Sequence, residues 1–330
     1  MADKVTIDDV AKRAGVHRST VSRAFSKPDS VNEKTRRHVL AVAEELGYAM
    51  SPLAQALRRQ SSAFVPLIVP DVLNPFFAEL ANSVSQAAQR RGYQLVMCIT
   101  NGDADRTMHY LEMMNSLMSP FGVIAPSTRL DLEELTSTPF GRRVVVIDRV
   151  APSSPSPSVS VDSHRGIELA FEHLRSLGHS RIGYVSGISG THTSQERLKS
   201  YLEHAGNDSL LLDDGTDANA GLRAAAHFQS MQDKPSAIIA ANDLTAMSLI
   251  AELAKRGFKT PADVSVIGFD GLDLGGRCNP GLTTIRQPIE QLGDIALDLA
   301  LKSVDHGVTE HISLTPDLLV RSSTSPLEPR

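Results

Sequence analysis

The chain has 330 residues, of which 41% are hydrophobic and 22% charged. This composition excludes a disordered or fibrous protein, and the length predicts two or three domains with cores of their own. The formal net charge of −5 is unevenly distributed, because residues 1–60 hold 11 Lys or Arg against 7 Asp or Glu, whereas residues 61–330 hold 22 against 31. A basic N-terminal segment before an acidic remainder favours a polyanionic partner for that segment, with a solvated surface as the alternative.

The cysteines and the N-terminus indicate the compartment. Cys98 and Cys278 are far apart, and neither has a Cys or His partner at metal-ligand spacing. This usage indicates a reducing compartment without a disulfide framework or a metal site. The N-terminal "MADKVTIDD" is charged where a signal peptide would be apolar, and no run of about 18 apolar residues occurs. We therefore expect a cytoplasmic protein with no membrane segment and no cofactor.

The first predicted elements are two short helices in "TIDDVAKRAGVHRSTVSRAFS", separated by Gly15. Thr6 is a suitable N-cap, and an apolar stripe follows it along the first helix. The stripe consists of Ile7, Val10, Ala11 and Ala14. The second helix begins around His17, with its apolar positions facing inward and its polar positions on the open face. The inward positions are Val16, Val21 and Ala24, and the open-face positions are Arg18, Ser19, Ser22 and Arg23.

A third helix is predicted in "EKTRRHVLAVAEELGY", after the turn at Ser30 to Asn32. Its apolar residues complete a three-helix core; they are Val39, Leu40, Val42, Ala43 and Leu46. The arrangement is a helix-turn-helix with a supporting helix, and short polar and basic side chains on the second helix suit base edges and phosphates of a major groove. The alternative is a three-helix module whose polar face has no DNA role.

These motifs resemble the DNA-binding headpiece of the lactose-repressor (LacI) family, and the resemblance extends over nearly the whole chain. It implies base-reading or groove-facing positions for His17, Arg18, Ser19 and Arg23. It implies phosphate-contact positions for Thr6, Ser22, Asn32, Thr35 and Arg36. Arg18 at a position that helps set operator preference favours guanine, which arginine reads bidentately.

The segment "AMSPLAQALRRQSS" resembles the hinge helix of the same family. The resemblance places Leu57 as an apolar wedge in the minor groove, with Ala54 one turn earlier, and such a wedge bends the duplex. The alternative is a plain linker whose Leu57 packs on the body. The family usually has Pro-Asn where Met50-Ser51 stand, and its proline occurs here as Pro52. Because proline suits the first turn of a helix, the hinge helix is expected to begin there.

After Ser62, short β-branched runs alternate with amphipathic helical segments, which predicts doubly wound parallel sheets. There are too many strands for one sheet. The resemblance implies an all-α helix-turn-helix headpiece followed by an α/β core of the periplasmic-binding-protein type I, with two doubly wound lobes. The implied domains are a helix-turn-helix domain at 1–50, a hinge helix and linker at 51–62, and a two-lobed effector-binding and dimerisation domain at 63–330. Lobe 1 takes about 63–162 and 288–308, and lobe 2 about 163–287 and 309–330.

All but one of the candidate ligand-binding residues follow predicted strands, where ligands of open α/β sheets gather, and Arg197 lies on the helix after "SGISG". The candidates are Asn74, Phe76, Phe77, Asp148, Arg149, Arg197, Asn242, Asp270 and Gln287. Aromatic rings that sandwich a sugar's apolar face, together with bidentate polar groups for its hydroxyls, make a sugar site. In order, the set is similar to the ribose-contacting motif of the bacterial ribose-binding protein, which implies ribose or a close pentose. Much of the pattern also occurs in family members that sense hexoses and other polyols.

Several of these residues have a structural alternative. Asn74 and Pro75 suit the start of a turn and helix, and Phe76 or Phe77 suits a core. Asp148 and Arg149 suit a structural ion pair. Asp243 suits a helix N-cap as well as a ligand contact, so Asn242 is the preferred candidate.

An enzyme is disfavoured because phosphate-loop, nucleophile-elbow and zinc-protease motifs are absent, and because Arg197 would depress rather than raise nearby carboxylate pKa values. The sequence predicts a DNA-binding transcriptional regulator, a repressor, controlled by a sugar-like effector. We expect a homodimer on a near-palindromic operator, since "SSTSPLEPR" lacks the apolar heptads of a tetramerising tail. The alternatives are a sugar-binding protein without a DNA role, and a regulator that answers to a nucleobase or a protein corepressor.

Overall fold

The computed structural model describes residues 5–48, 61–126, 131–148, 155–188, 190–215, 219–306 and 309–328. Contacts divide the chain into two compact units, a headpiece formed mainly by residues before 64 and a body formed mainly by those after it. The hinge predictions for Met50, Ser51, Pro52, Ala54 and Leu57, and the prediction for Arg149, lie outside the described residues.

The headpiece contains three helices, α1 (Ile7–Ala14), α2 (Arg18–Ser26) and α3 (Glu33–Glu45). α1 begins with a capping box, in which the Thr6 hydroxyl accepts from the Asp9 N–H at 3.4 Å and the Asp9 carboxylate accepts from the Thr6 N–H at 2.8 Å. α1 ends at Gly15, whose φ of 65° is the left-handed conformation that glycine adopts without strain. The predicted boundaries of α1 are thus confirmed.

The three helices enclose one small core. Val10, Val21 and Val39, one from each helix, are completely buried. Small residues lie between them and let the helices approach closely; these are Ala11, Ala14, Ala24 and Ala43. The partly buried rings of Phe25 and Tyr48 meet edge to face at the rim of this core, with centroids 5.9 Å apart. The predicted three-helix core is confirmed except at Leu40, which is partly exposed and does not belong to it.

The body contains two six-stranded sheets. Their strands, in chain order, are β1 (Phe64–Val69), β2 (Gln94–Ile99), β3 (Gly122–Ile124), β4 (Val144–Ile147), β5 (Ser158–Val161), β6 (Ile182–Val185), β7 (Leu211–Asp213), β8 (Ala237–Ala240), β9 (Ser265–Asp270), β10 (Thr283–Arg286), β11 (His311–Leu314) and β12 (Asp317–Leu319). The first sheet has the order β11-β5-β4-β3-β1-β2 and the second β12-β10-β9-β8-β6-β7. All neighbouring pairs are parallel except β10 and β12.

Nine helices are described in the body. They are α4 (Pro75–Arg90), α5 (Ala104–Ser116), α6 (Leu132–Ser137), α7 (Ser163–Ser176), α8 (His192–Ala205), α9 (Ala220–Ser230), α10 (Asp243–Lys255), α11 (Asp273–Gly276) and α12 (Ile289–His306). No helix in the described part of the chain has the length and apolarity needed to cross a membrane. The alternation of strand and helix is what parallel sheets require, because a parallel connection must cross over a face of the sheet.

Each sheet belongs to a lobe with a buried core. In the first lobe α4 and α12 lie side by side, and the Ser83 hydroxyl donates to the Ile289 carbonyl at 2.9 Å. Arg91 fixes the same pair of helices through carboxylates of α12, at 3.2 Å from Asp294 and 2.6 Å from Asp298. The continuous apolar run of β1 is buried because helices cover the sheet.

The chain crosses between the lobes three times, after β5, after β10 and between β11 and β12. The third crossing corrects the prediction that residues 309–330 belong wholly to lobe 2. β11 pairs in parallel with β5, with His311 opposite Ser158, and so extends the first sheet. The physical reason is that the outer edge of β5 needs partners for its backbone groups, and the Ser158 N–H donates to the Glu310 carbonyl at 2.9 Å. Only β12 and the residues after it lie with the second sheet.

Candidate functional site

The headpiece exposes the first turns of α2. His17 is its N-cap, with Nδ1 accepting from the Ser19 N–H at 3.2 Å and lying 2.8 Å from the Ser19 hydroxyl. Arg18 is 62% exposed, and its Nε lies 3.6 Å from a carboxylate oxygen of Asp8. The exposed Arg23 donates from Nε to the Ser19 carbonyl at 3.2 Å. Two arginines, His17 and Ser19 therefore share the exposed face of this helix, as groove recognition requires.

Ser22 differs from the prediction. It was expected on the open face of α2 beside Arg18, Ser19 and Arg23, but only 6% of it is exposed. Position 22 lies at the border of the face formed by Val21, Ala24 and Phe25, where neighbouring side chains cover so small a residue. Its role as a phosphate contact stays a prediction.

The remaining predicted phosphate contacts lie at helix starts. Thr6 caps α1, and Asn32 caps α3 by accepting from the Lys34 N–H at 2.9 Å. Thr35 and Arg36 follow in the first turn of α3 and are partly exposed. Helix N-termini attract anions through their free N–H groups and the helix dipole, so these positions are chemically suited to phosphate oxygens.

In the body, a cavity of ≈ 430 Å³ lies between the lobes, at the carboxyl ends of the strands. Every predicted ligand-binding residue within the described chain lines it: Asn74, Phe76, Phe77, Asp148, Arg197, Asn242, Asp270 and Gln287. These residues are spread from position 74 to position 287, so their spacing in the sequence does not predict that their side chains are neighbours. They converge because all but Arg197 follow the carboxyl ends of parallel strands, which share one edge of each sheet.

The aromatic wall is formed at the start of α4. Asn74 caps this helix by accepting from the Phe76 N–H at 3.1 Å, and Pro75 occupies its first turn. Phe76 and Phe77 are 3% and 1% exposed, and their centroids are 5.3 Å apart with the rings inclined by 71°. The prediction that two rings sandwich a ligand is wrong, because these rings contact each other edge to face and leave no gap between them.

Arg197 of α8 is the buried cation of the cavity. It is 6% exposed, and its Nη1 donates to the Ala241 carbonyl at 2.6 Å. Its guanidinium carbon lies 3.6 Å from the centroid of the Phe269 ring, a cation–π contact that fixes the plane of the group. Its Nε is buried and has no protein hydrogen-bond partner among the described residues.

Asp270 is the buried carboxyl group of the cavity, and it interacts electrostatically with Arg197. It ends β9 with a φ of 132°, a conformation that L side chains rarely adopt, and is 3% exposed. One carboxylate oxygen accepts from Gln287 Nε2 at 2.8 Å. Burial raises the pKa of Asp270 well above its usual value, and the charge of Arg197 opposes that rise. The Oδ2 of Asp270 and the Oε1 of Gln287 are buried without a hydrogen-bond partner within the described ranges.

Asn242 and Asp243 have different roles from those predicted, because the N-cap of α10 is Asn242 and not Asp243. Asn242 is the N-cap of α10, because its Oδ1 accepts from the Thr245 N–H at 2.7 Å, and it also lines the cavity. Asp243 is the first residue of the helix and not its cap. It is completely buried, and its carboxylate accepts from the turn after β9. Burial raises the pKa of Asp243 to about 6, against the hydrogen bonds that it accepts.

The raised pKa of Asp243 predicts a pH effect on stability. Between the ordinary aspartate value of 3.8 and about 6, the folded state holds a proton that the unfolded state has lost. Stability from this group is therefore present below 3.8 and is lost as the pH rises to about 6. We expect urea unfolding across this window to show wild type gaining stability over Asp243→Asn as the pH falls. Parallel pH profiles for the two proteins would contradict the assignment.

Sequence reasoning missed the hydroxyl groups at the start of α8. Thr191, Thr193 and Ser194 line the cavity, and the Thr193 hydroxyl donates across the cleft to the Asp148 carbonyl at 3.4 Å. A signal for them existed, since "GTHTS" follows β6 at the carboxyl edge of the second sheet. The described residues hold no cluster of three or more His, Cys, Asp or Glu side chains placed to bind a metal.

A helix-turn-helix headpiece in one chain with a two-lobed body around a polar cavity defines a DNA-binding regulator with a small-molecule receptor domain. Two family models match accordingly: residues 6–51 match "Bacterial regulatory proteins, lacI family", and residues 171–324 match "Periplasmic binding protein-like domain". The chain belongs to the LacI family of transcriptional regulators, as the sequence predicted.

Relatives and solved structures support this family membership. The chain is 32% identical to the HTH-type transcriptional repressor PurR of Photobacterium profundum, over 98% of this chain and 99% of that protein. It is 33% identical to the HTH-type transcriptional regulator DegA of Bacillus subtilis, over the same shares. The fold matches the lac repressor dimer bound to operator and the anti-inducer ONPF with a TM-score of 0.87 at 23% identity, covering 98% of this chain and 100% of that one. A LacI family regulator of Enterococcus faecalis with bound ribose matches with a TM-score of 0.72 at 29% identity, covering 80% of this chain and 100% of that one.

Proposed function

We propose that the protein is a homodimeric repressor that binds a near-palindromic operator and responds to a small polyhydroxylated effector, with ribose or another pentose as the first candidate. One observation carries the choice of effector. Arg197 Nε, Asp270 Oδ2 and Gln287 Oε1 are buried at the cavity and have no hydrogen-bond partner in the described protein. Buried polar groups without partners are costly, so a ligand that supplies both donors and acceptors is favoured there.

Sugar hydroxyls meet this requirement. Each hydroxyl donates one hydrogen bond and accepts others, so neighbouring hydroxyls can donate to Asp270 and Gln287 and accept from Arg197. The rings of Phe76 and Phe77 supply an apolar wall for the C–H face of the sugar. Asp148 places a second carboxylate at the cavity, which disfavours a phosphorylated sugar. The Enterococcus regulator with bound ribose supports the same class of ligand.

A nucleobase or a protein corepressor is the alternative signal. A nucleobase is favoured by parallel aromatic faces about 7 Å apart, and Phe76 and Phe77 do not provide them, because they contact each other. The PurR relatives of Photobacterium profundum, Aliivibrio salmonicida and Aliivibrio fischeri are 32% identical to this chain, which leaves the cavity residues free to differ. The sugar is therefore our first candidate, and nucleobases belong in the ligand panel.

The DNA side of the proposal follows from the headpiece. A homodimer would place two α2 helices in successive major grooves, and the proposed hinge helices, with Ala54 and Leu57, would contact the minor groove between them. Effector in the cavity would change the arrangement of the lobes and with it the operator affinity. Such coupling is reciprocal, so operator must change effector affinity by the same factor, about 5- to 150-fold in typical cases.

Calorimetric titration of the full-length protein is the test. The panel holds ribose, other pentoses, hexoses, polyols, phosphorylated sugars and nucleobases, each titrated against wild type. Binding of one pentose, followed by a change in operator affinity when it is present, would support the proposal. Binding of a nucleobase alone, or of nothing in the panel, would overturn the sugar assignment.

A further inference from the structure

The buried carboxylate of Asp243 does not cap its own helix, α10. Asn242 caps α10, yet Asp243 is completely buried beside it. Its Oδ2 accepts from the backbone N–H groups of Gly271 at 3.0 Å and of Leu272 at 2.8 Å, and its Oδ1 accepts from the Thr284 hydroxyl at 2.5 Å. All three donors belong to β10 or to the turn after β9. The carboxylate therefore joins the start of α10 to that turn.

The turn held by Asp243 has different partners at its two ends. Asp270, immediately before Gly271, is the buried carboxyl group of the cavity. Leu272, immediately after it, is completely buried and belongs to the hydrophobic core of the first lobe. The next residue, Asp273, lies close to Glu79 on α4, where its backbone acts to lower the pKa of that carboxyl group against the effect of burial. The four residues Asp270 to Asp273 thus run from the ligand cavity to the helix that carries Phe76 and Phe77.

Two glycines near the Asp243 carboxylate have no space for a side chain. A Cβ at Gly268 would lie 2.1 Å from Asp243 Oδ1, so any side chain there would displace the carboxylate. Gly271 has a φ of 83°, and a Cβ there would lie 2.6 Å from the Cα of Arg286. Two glycines therefore allow the close approach that the hydrogen bonds need.

We propose that Asp243 is a positioning residue that fixes the Asp270–Leu272 turn, so that the ligand contact at Asp270 and the first-lobe contact at Leu272 move as one unit. Loss of the carboxylate would release the turn from α10. The effector site and the start of α4 would then loosen together, and effector occupancy would be transmitted less efficiently between the lobes. The effector part of this inference rests on the proposed function, whereas the fixing of the turn does not.

Hydrogen exchange of the effector-free, full-length protein tests the fixing of the turn. In Asp243→Ala we expect amide exchange in residues 270–277 and 74–80 to rise roughly tenfold, as loss of charge-assisted hydrogen bonds implies. Asp243→Asn keeps an acceptor for the two amides and a donor for Thr284, so exchange should stay close to wild type. Unchanged exchange in the alanine variant would overturn the proposal, and so would a rise confined to 270–277.

Asp213 offers a matched control in the same lobe. Its carboxylate is 8% exposed, accepts from the Gly215 N–H at 2.9 Å and binds Arg223 at 2.7 Å. In Asp213→Ala we expect faster exchange near that loop and none near 270–277 or 74–80. If Asp243→Ala does not fold, Thr284→Val removes one partner of the carboxylate and should give the same pattern with a smaller rise; no rise in this variant would overturn the proposal.

A second experiment uses whichever compound wild type binds. It measures the affinity for that compound and, separately, the change in operator affinity that the compound causes. Asp243→Ala should weaken binding at least about tenfold, Asp243→Asn should restore it, and Leu272→Ala should keep affinity within about threefold while the effector's influence on operator binding falls. Equal ligand affinity in wild type and Asp243→Ala would overturn the proposal. If wild type binds nothing in the panel, the proposed effector class fails, and the exchange data alone decide whether Asp243 fixes the turn.

Discussion

Asp270→Ala is expected to lower effector affinity by at least about 100-fold, the largest effect of any single change in the cavity. The substitution removes the carboxyl group that accepts from Gln287 Nε2 and that interacts electrostatically with the buried Arg197. A ligand hydroxyl that donated to the carboxylate would lose its acceptor while staying buried, which costs more than losing a solvent-exposed hydrogen bond. Calorimetry with the compound that wild type binds measures the loss.

Two further variants separate lost binding from lost folding. Alanine is strained at the φ of 132° that position 270 adopts, whereas asparagine tolerates positive φ better and keeps the shape of the side chain. Asp270→Asn should therefore fold like wild type and still lose about tenfold or more in affinity. Asp233→Ala, a change of an exposed carboxylate in the same lobe, should leave binding within about twofold. Full affinity in Asp270→Asn would show that the charge does not contact the ligand.

Arg18→Ala is expected to weaken operator binding by about 10- to 100-fold with little effect on non-specific DNA. Arg18 is exposed on the first turn of α2, and within the described residues a weak 3.6 Å contact with Asp8 is what competes for its guanidinium. A bidentate contact with guanine contributes about 1–3 kcal/mol of discrimination against a wrong base. The measurement is fluorescence anisotropy at fixed salt, on a sequence that wild-type protein selects from a random pool and on a scrambled duplex.

Arg13 is the matched control for this prediction. It is an exposed arginine on α1, and its Nη2 binds the Glu45 carboxylate of α3 at 2.8 Å. Arg13→Ala removes the same charge from the headpiece without touching α2, so operator affinity should fall by no more than about threefold. An equal loss for Arg18→Ala on operator and scrambled duplexes would instead identify Arg18 as a phosphate contact.

Local chemistry made the headpiece predictable. Thr6, Gly15 and the apolar stripe of α1 act within one or two helical turns, so their order in the sequence is their order in space. The cavity was predictable for a different reason, because the ends of parallel strands meet at one edge whatever their separation in the chain. The similarity to the ribose-contacting motif of the bacterial ribose-binding protein supported Arg197, which stands on a helix and not at a strand end.

Other features depend on packing that no local pattern encodes. The burial of Ser22 depends on neighbours that cover a small side chain at the border of a helix face. The contact between Phe76 and Phe77 depends on their rotamers, which residue type alone does not fix. The pairing of β11 with β5 and the hydrogen bonds of Asp243 join residues 28 to about 150 positions apart, so only the folded chain brings them together.

The third crossing of the chain also determines the order in which this protein can be completed during synthesis. The first lobe begins at β1 but needs α12 and β11 to cover and finish its sheet, so it stays incomplete until residue 314 has left the ribosome. The second sheet is finished by β12 only a few residues later. The nascent chain therefore leaves the outer edge of β5 without its partner strand from residue 161 until β11 has been made, a condition under which unpaired strands aggregate. The headpiece, whose core is complete by residue 48, is free to fold long before either lobe.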